Sequence, residues 1–501
     1  MRPDRIVIAI AAAAMLLAGR PAAAQAPQAA HPQSLEELAA RLRQLQTDLA
    51  TLTGNAGTPA GTATDGHAGT ATSIEALRGE LDELDQRIRV LGRQIEIDKE
   101  AAVEKAKTTP VVVASPEGFQ LKSADNNFQL RLRGYVQSDG RFYPGDDGPI
   151  VADEFLLRRV RPLLEGTLFK FVDFRLMPDF GGGTTVLQDA YLDLKFSPAF
   201  KLRTGKFKSP LGLERLASAL DIPFVERAYP TSIVANRDVG VLLFGDVAKT
   251  TVAYALGVVN GATDGSSLDV DDRDAKDVVA RVFVQPFKNG DNESLKQLGF
   301  GIAGSNGTQR GTILTPNLPT IRTSGQQIFF RYRTDATPEG TTFADGAHWR
   351  VVPQAYYYNG PLGLLTEYVA ASQAVRRDEQ TARIGSSAWQ LTGTWVLTGE
   401  KGSYRGVAPT HPFDTKSGAL GAFELTARYH VLEIDDKAFP VFANPTAAAR
   451  SAKAWAAGVN WYLNRAVKIQ ADYEQTHFEG GATTGDRKTA NEILTRFQVG
   501  F

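Results

Sequence analysis

Cysteine is absent from the 501-residue chain, which excludes disulfide bonds, thiol catalysis and cysteine-based metal sites. An excess of one charge is also missing. The 55 basic and 56 acidic residues give a formal charge of −1, which is not the balance of a nucleic-acid-binding protein. Beyond the first two dozen residues no apolar run reaches the roughly 18 residues of a membrane-spanning helix. Any function based on charge must therefore depend on where individual charges are placed.

The N-terminal residues 1–24 have the layout of a cleaved secretory signal peptide. Arg2 and Arg5 form a basic start, residues 6–18 are apolar, and residues 22–24 offer a small-residue cleavage site. The apolar stretch is too short for the roughly 20 residues that span a bilayer. We therefore expect an exported protein, and the lack of cysteine fits the periplasm or outer membrane of a Gram-negative bacterium.

The pattern of residues 25–108 predicts a periplasmic region with two helical segments and a linker. Two segments, 35–52 and 74–95, repeat apolar residues in the alternating three-and-four spacing of a coiled coil, and a Gly/Thr/Ala-rich linker separates them. The seam positions are Leu35, Leu38, Leu42, Leu45, Leu49 and Leu52, then Ile74, Leu77, Leu81, Leu84, Ile88, Leu91 and Ile95. The same pattern also suits two amphipathic helices that fold on each other. A proline-containing linker at 109–117 ends this region.

From residue 118 to residue 501 the hydrophobic period becomes two, which is typical of strands. In "LQDAYLDLKF" (187–196), for example, apolar and polar residues alternate throughout. Many segments reach ten residues or more, as a tilted membrane strand requires, and aromatic residues concentrate near their ends. We predict an all-β transmembrane barrel of about 16 antiparallel strands, because single-chain bacterial barrels use an even number. A barrel of this size encloses a water-filled lumen.

The connections between these strands alternate between short and long. Tight turns are predicted at 196–200, 358–361 and 463–466, and long loops at 261–277, 376–387 and 479–490, as in outer-membrane barrels. The segment "GQQIFFRYR" (325–333) could be a further strand, but we assign it to a long structured loop between residues 306 and 347.

Three arginines in the apolar run "EFLLRRVRPLLEGTLFK" (154–170) raise the question of where they point. Strict alternation directs Arg159 and Arg161 to the polar face of the strand, and it directs Arg158 to the lipid face. A charge on the lipid face costs about 2–4 kcal/mol at the bilayer midplane. Either a β-bulge turns both neighbouring arginines inward or Arg158 lies near the rim. In the preceding strand Arg131 and Arg133 share the polar face.

Several long motifs, in order, resemble the phosphate-selective porin O and P family. They are "LRLRGYVQSDGRFY", the arginine-rich segment continued to "MPDFGGG", "LQDAYLDLKFSPAFKLRTGKFKSPLGLERLASALDIPFVERAYP" and "NRDVGVLLFG". The resemblance is specific through residues 128–260 and extends through the barrel pattern to residue 501. It does not cover the coiled-coil region.

The resemblance implies a homotrimeric outer-membrane channel for inorganic phosphate, polyphosphate or other oxyanions, surrounded by outer-membrane lipid. It places Arg133, Arg158 and Arg159 at the pore constriction, and Asp189 as a carboxylate that orients a basic group. It places Lys206 and Lys208 just before an inward-folding loop at residues 209–238. This favours a bulge or a bend near Arg158, since Arg158 and Arg159 would then both face the pore. The candidate anion-binding and pore-lining residues are therefore Arg131, Arg133, Arg158, Arg159, Arg161, Asp189, Lys206 and Lys208.

A second hypothesis is a general or sugar-selective porin whose coiled coil trimerises the assembly or contacts peptidoglycan. It would need aromatic stacking platforms on the lumen face, where the polar strand faces offer Tyr135 and Tyr191. The six histidines form no ligand-spaced pair, so neither a metal nor another cofactor is expected. No catalytic arrangement is recognisable, and we expect no enzyme.

Overall fold

The computed structural model describes residues 35–55, 67–115, 118–145, 152–271 and 273–501. Its contacts divide the chain into two compact units, one ending at Lys107 and the other beginning at Thr108. The predicted signal peptide at 1–24 and residues 56–66 of the predicted Gly/Thr/Ala-rich linker lie outside the described residues.

The first unit contains the two predicted helices, α1 (Leu35–Asn55) and α2 (His67–Thr108). Leu38 in α1 and Leu84 in α2 are buried, and most other seam positions are partly covered while the flanking residues are exposed. The apolar seam is therefore the protected face of each helix. None of the helices in the described ranges has the length and apolar character needed to cross a bilayer.

The second unit is built from strands, with a few short helical turns. The strands are β1 (Val111–Ser115), β2 (Gly118–Lys122), β3 (Gln129–Phe142), β4 (Glu154–Leu168), β5 (Val172–Asp179), β6 (Val186–Ser197), β7 (Phe200–Lys208), β8 (Arg237–Val247), β9 (Val252–Val259), β10 (Asp277–Val284), β11 (Gln297–Arg310), β12 (Thr320–Arg322), β13 (Ile328–Arg331), β14 (Phe343–Asn359), β15 (Leu362–Arg377), β16 (Gln380–Val396), β17 (Ala422–Ile434), β18 (Ala449–Tyr462), β19 (Val467–Ala482), β20 (Gly485–Asp486) and β21 (Ala490–Gly500). The helical turns are α3 (Leu213–Leu216) and 3₁₀ turns at Tyr229–Ile233, Glu293–Leu295 and Asp436–Ala438.

Sixteen of these strands form one closed antiparallel barrel, as predicted. They are β3 to β11, β14 to β19 and β21, and the barrel closes where β21 pairs with β3. Backbone hydrogen bonds in both directions between Phe501 and Gly134 complete this junction. The segment predicted as a linker at 109–117 contains β1, which pairs with β2, and β2 in turn pairs with the start of β3.

The barrel has polar side chains inside and apolar side chains outside. In β16 and β17 the buried residues include Gln390 and Arg428, whereas Leu391 and Leu425 are more than two-fifths exposed. This inversion of the usual soluble pattern is what alternation produces when one strand face meets lipid and the other meets a lumen.

Turn lengths follow the predicted asymmetry with one correction. The segment 376–387, predicted as a long loop, is a tight turn, because β15 and β16 pair as far as Arg377 and Gln380. Its polar residues belong to long strands, and in sequence a charged strand end looks like a loop. The segment 325–333 lies, as predicted, in a loop, which spans 311–342 and contains the hairpin of β12 and β13.

Candidate functional site

The loop between β7 and β8, residues 209–236, folds into the barrel as predicted, and β8 then begins at Arg237. Its apolar residues Leu211, Phe224 and Val225 are almost completely buried. Its backbone is tied to distant strands of the wall. The Leu213 amide donates to Glu367 (2.5 Å), the Val225 amide to Asp472 (2.5 Å), and Asn460 donates to the Pro223 carbonyl (2.8 Å). The loop therefore crosses the lumen.

Arg428 on β17 connects this loop to the second long loop. It donates to the Glu226 carbonyl (2.9 Å), to the Ser324 hydroxyl (3.4 Å) and to Glu474 on β19 (2.7 Å). Arg428 and Glu474 are both almost fully buried. The two loops thus fill the lumen beside β17 to β19, and open space remains beside β3 to β8.

That space is a cavity of about 880 Å³ with a strongly basic lining. Ten arginines and one lysine face three aspartates. The basic residues are Arg133, Arg158, Arg159, Arg161, Arg175, Arg203, Lys208, Arg215, Arg227, Arg237 and Arg405, and the acidic ones are Asp179, Asp189 and Asp221.

The predicted bulge is present in β4 at Arg158. Gln137 of β3 is opposite Arg159 while the next residue, Ser138, is opposite Leu157, so Arg158 is unpaired in the ladder. Gly181 approaches the bulged backbone closely, because a Cβ there would lie 2.7 Å from the Cα of Arg159. The bulge turns Arg158 inward beside its neighbours.

Each of the three arginines on β4 has an acidic partner. Arg158 Nε lies 2.5 Å from Glu226 Oε1, and Arg161 Nε lies 2.7 Å from Asp179 Oδ2. Arg159 donates to Gln137 (2.7 Å) and lies 3.6 Å from Glu226. Burial alone would raise the pKa of the Glu226 carboxyl. The nearby Arg158 and Arg159 act in the opposite direction, and the pKa of Glu226 is lowered to below its usual range. Glu226 is thus an ionised anchor for the bulge.

Three cations in and beside the inward loop have no acidic partner within 4 Å among the described residues. Lys208 donates to the Ala217 carbonyl (2.8 Å), and Arg227 donates to the Glu214 (3.0 Å) and Ala217 (2.9 Å) carbonyls. Arg215 donates to the Thr231 carbonyl, and its buried Nε has no partner. We call Lys208, Arg215 and Arg227 the loop cations.

The loop cations repel one another. Burial lowers the pKa of Arg215 below its usual range, and the nearby Arg227 and Arg237 lower it further. A guanidinium is too strong a base to lose its proton in response. The repulsion among the loop cations therefore persists.

The remaining predicted residues are placed differently. Asp189 accepts from Arg237 (2.8 Å), and Arg133 lies 3.2 Å from Glu165 at the edge of the large cavity. Arg131 lines a second cavity of about 580 Å³. Lys206 contacts Asp269 and lines neither cavity.

Sequence reasoning missed several cavity residues: Arg175, Arg203, Arg215, Arg227, Arg237 and Arg405. Arg175 on β5 and Arg203 on β7 lie in strands whose polar and apolar residues alternate, so the sequence period could have identified them. Arg215 and Arg227 lie in an aperiodic loop that gives no such signal. No group of three or more His, Asp or Glu side chains suited to a metal occurs in the described parts of the chain.

A closed 16-stranded barrel with a loop folded into its lumen and a charged aperture defines a porin-type channel. The family model for phosphate-selective porin O and P matches residues 128–501, and the chain belongs to this family. It is an outer-membrane channel of a Gram-negative bacterium.

Known proteins resemble the chain at moderate to low identity. It is 24% identical to Porin O of Pseudomonas aeruginosa over 414 residues, which are 78% of this chain and 92% of the relative. The solved outer-membrane channel DcaP of Acinetobacter baumannii is 12% identical, with a TM-score of 0.49, over 78% of this chain and all of that one. An anion-selective porin from Comamonas acidovorans is 11% identical, with a TM-score of 0.46, over 75% of this chain and all of that one.

Proposed function

We propose that the chain is an anion-selective channel for phosphate or polyphosphate and that the loop cations are its main anion-binding site. The observation that carries this is the charge balance of the large cavity, eleven cations against three aspartates. Lys208, Arg215 and Arg227 are the cavity cations best suited to bind, because they lie close to one another and no carboxylate of the described residues lies within 4 Å of them.

The arginines on the wall have a second role in this proposal. Arg158, Arg159 and Arg161 are each held by a carboxylate or amide, so they attract an anion less strongly than the loop cations do. Conduction requires sites that bind strongly enough to admit an ion and weakly enough to release it. Arg131 and Arg133 continue the path toward the second cavity, and Asp189 orients Arg237.

The contacts of the aromatic residues argue against a sugar-selective porin. Sugars stack on open ring faces, but the Arg203 guanidinium lies 3.8 Å from the Tyr191 ring centroid. The Arg161 guanidinium lies 5.7 Å from the centroid of the Tyr135 ring. The two platforms that this alternative would need are therefore occupied by arginines.

The first test is the reversal potential of single channels in a KCl gradient across a planar bilayer. We expect the sign of an anion-selective pore. A cation-selective reversal potential would contradict the proposal.

The second test is phosphate block of the chloride current in Arg227→Ala and Arg215→Ala. Hydrogen bonds to a charged group contribute about 1.5–3 kcal/mol, so each change should raise the half-blocking phosphate concentration by about 10- to 100-fold. Arg383→Ala is the matched control, because Arg383 is exposed and alternates with buried Ile384 on β16. Equal block in all variants would remove the loop cations from the site.

We further propose a homotrimer that buries the outer surface of β5 to β10. All five tryptophans, the preferred anchors at a membrane surface, lie on β14, β16 and β18. Strands β5, β9 and β10 have only eight residues each, which is short for a lipid-facing crossing. Leu192→Arg on β6 should dissociate the trimer in light scattering, whereas Leu391→Arg on β16 should not.

For α1 and α2 we propose that their apolar seams reinforce the trimer or hold it to peptidoglycan in the periplasm. Removing residues 25–108 should lower the dissociation temperature of the trimer in the first case and abolish peptidoglycan pull-down in the second. If both stay unchanged, the helices serve neither purpose.

A further inference from the structure

The large basic cavity and the second cavity share part of their lining. Arg175 on β5 and Tyr191 on β6 line both the large basic cavity and the second cavity. We call this junction the neck. An anion that moves directly between these two cavities passes beside these two residues.

The Tyr191 ring packs against an arginine that is itself hydrogen-bonded to a carboxylate. The Arg203 guanidinium, on β7, lies 3.8 Å from the ring centroid and donates two hydrogen bonds of 2.7 Å each to the Asp193 carboxylate. Arg175 lies 5.8 Å from the same centroid. The Tyr191 hydroxyl makes no hydrogen bond with any described residue, so it is available to a passing ligand.

The side chains around the neck include many hydrogen-bond donors and few acceptors. Arginine and lysine donate hydrogen bonds and cannot accept them. Glu165 gives one oxygen to Arg133 and the other to Arg175. Both oxygens of Asp193 are taken by Arg203, as described above.

Among the described residues, Gln188 and Asp189 are further acceptors beside the neck. The Gln188 Oε1 atom has no partner but is buried from solvent. One oxygen of Asp189 accepts from Arg237 and the other lies 3.8 Å from Arg175, and the Asp189 side chain is buried. A phenol hydroxyl can accept as well as donate. Among the described residues that line both cavities, Tyr191 therefore provides the side-chain acceptor that is partly exposed and has no partner.

We propose that Tyr191 determines specificity at the neck by accepting the hydrogen bond of a protonated tetrahedral oxyanion. Hydrogen phosphate and hydrogen arsenate carry an O–H group, whereas sulfate at neutral pH carries none. At the neck, the Tyr191 hydroxyl is the partly exposed acceptor that can pair with that O–H group. This inference rests on the proposed anion channel and adds to it a preference among oxyanions of equal charge.

The test compares the block of chloride current by phosphate, arsenate and sulfate at neutral pH in wild type, Tyr191→Phe and Tyr473→Phe. Tyr191→Phe keeps the ring over Arg203 and removes only the hydroxyl. Tyr473 is the matched control, because its hydroxyl donates to Asn491 on the neighbouring strand and it lines neither cavity.

We expect wild type to be blocked at lower concentrations of phosphate and arsenate than of sulfate. An unsatisfied buried donor costs about 1–3 kcal/mol, so Tyr191→Phe should reduce the phosphate-to-sulfate preference by about 5-fold or more. Sulfate block should change less than phosphate block, since the other donors at the neck remain. Tyr473→Phe should behave as wild type.

Two results would overturn the inference and leave the anion channel standing. One is a wild type that phosphate and sulfate block equally, and the other is a Tyr191→Phe variant that keeps the wild-type preference or weakens both anions alike. A wild type that no oxyanion blocks would instead overturn the proposed function itself.

Discussion

Glu226 is the carboxylate on which four arginines of the lumen converge, and we predict that Glu226→Gln makes the barrel depend on phosphate for its stability. Arg158 lies 2.5 Å from this carboxylate, Arg141 and Arg159 lie 3.6 Å from it, and Arg496 lies 3.9 Å from it. The glutamine keeps the size of the side chain and removes its charge. Arg158 and Arg159 would then have no carboxylate within 4 Å among the described residues. By contrast, Arg141 keeps Glu154 and Arg496 keeps Asp139.

The size of the effect follows from these distances. At an effective dielectric constant of about 20, two unit charges at about 4 Å attract by about 4 kcal/mol. The cost of removing water from the carboxylate offsets much of the sum over four partners. Removing one partner from a buried ion pair typically destabilises a protein by about 3–5 kcal/mol, and we expect this loss for Glu226→Gln.

Phosphate should restore part of this stability, because an oxyanion can occupy the vacated place among the arginines. The assay is thermal unfolding of the detergent-solubilised barrel over a range of phosphate concentrations, followed by the loss of β-structure in circular dichroism. Binding to the folded state alone stabilises in proportion to the logarithm of ligand concentration. Glu226→Gln should therefore gain more from phosphate than wild type does.

Glu433→Gln is the control, since Glu433 is exposed on β17 and should show no such dependence. If Glu226→Gln unfolds at the wild-type temperature in the absence of phosphate, the electrostatic role of Glu226 is refuted. If it is destabilised and phosphate does not help, the arginines around Glu226 are not accessible to the anion.

Three further outcomes follow from the same lumen. Burial raises the pKa of Asp221 to about 6 against the opposing effect of Lys468, so this carboxyl loses its negative charge as the pH falls through 6. Anion selectivity measured by reversal potential should then increase between pH 7 and pH 5, and in Asp221→Asn it should stay constant. Gly181→Ala should destabilise the barrel by about 1–3 kcal/mol in thermal unfolding, because a Cβ would collide with the bulge. Gly393→Ala should have little effect, since no atom lies within 4 Å of the added Cβ.

The architecture could be predicted from the sequence because every strand of the barrel has one face toward lipid and one toward the lumen. Each strand therefore shows the same two-residue alternation of apolar and polar side chains. Sixteen strands, the inward loop after β7 and the bulge at Arg158 were all predicted and are confirmed. The bulge was predictable because a charge on the lipid face is costly and the family resemblance placed two neighbouring arginines in the pore.

The site was less accessible to sequence reasoning. Arg215 and Arg227 approach Lys208 only because the loop crosses the lumen, and that path depends on hydrogen bonds to Glu367 and Asp472, more than 100 residues away. Lys206 is followed two positions later by Lys208, yet it contacts Asp269 outside the cavity. The role of the eight predicted residues in anion binding stays a prediction.

The bulge in β4 also alters the spacing of charge along the path of the anion. In a regular strand, side chains on one face repeat every two residues, about 6.8 Å apart. At the bulge Arg158 and Arg159 both face the lumen, and the Cα atoms of consecutive residues are about 3.8 Å apart. If these arginines bind anions as proposed, the bulge brings two binding groups to one level of the pore, where a regular strand would offer one.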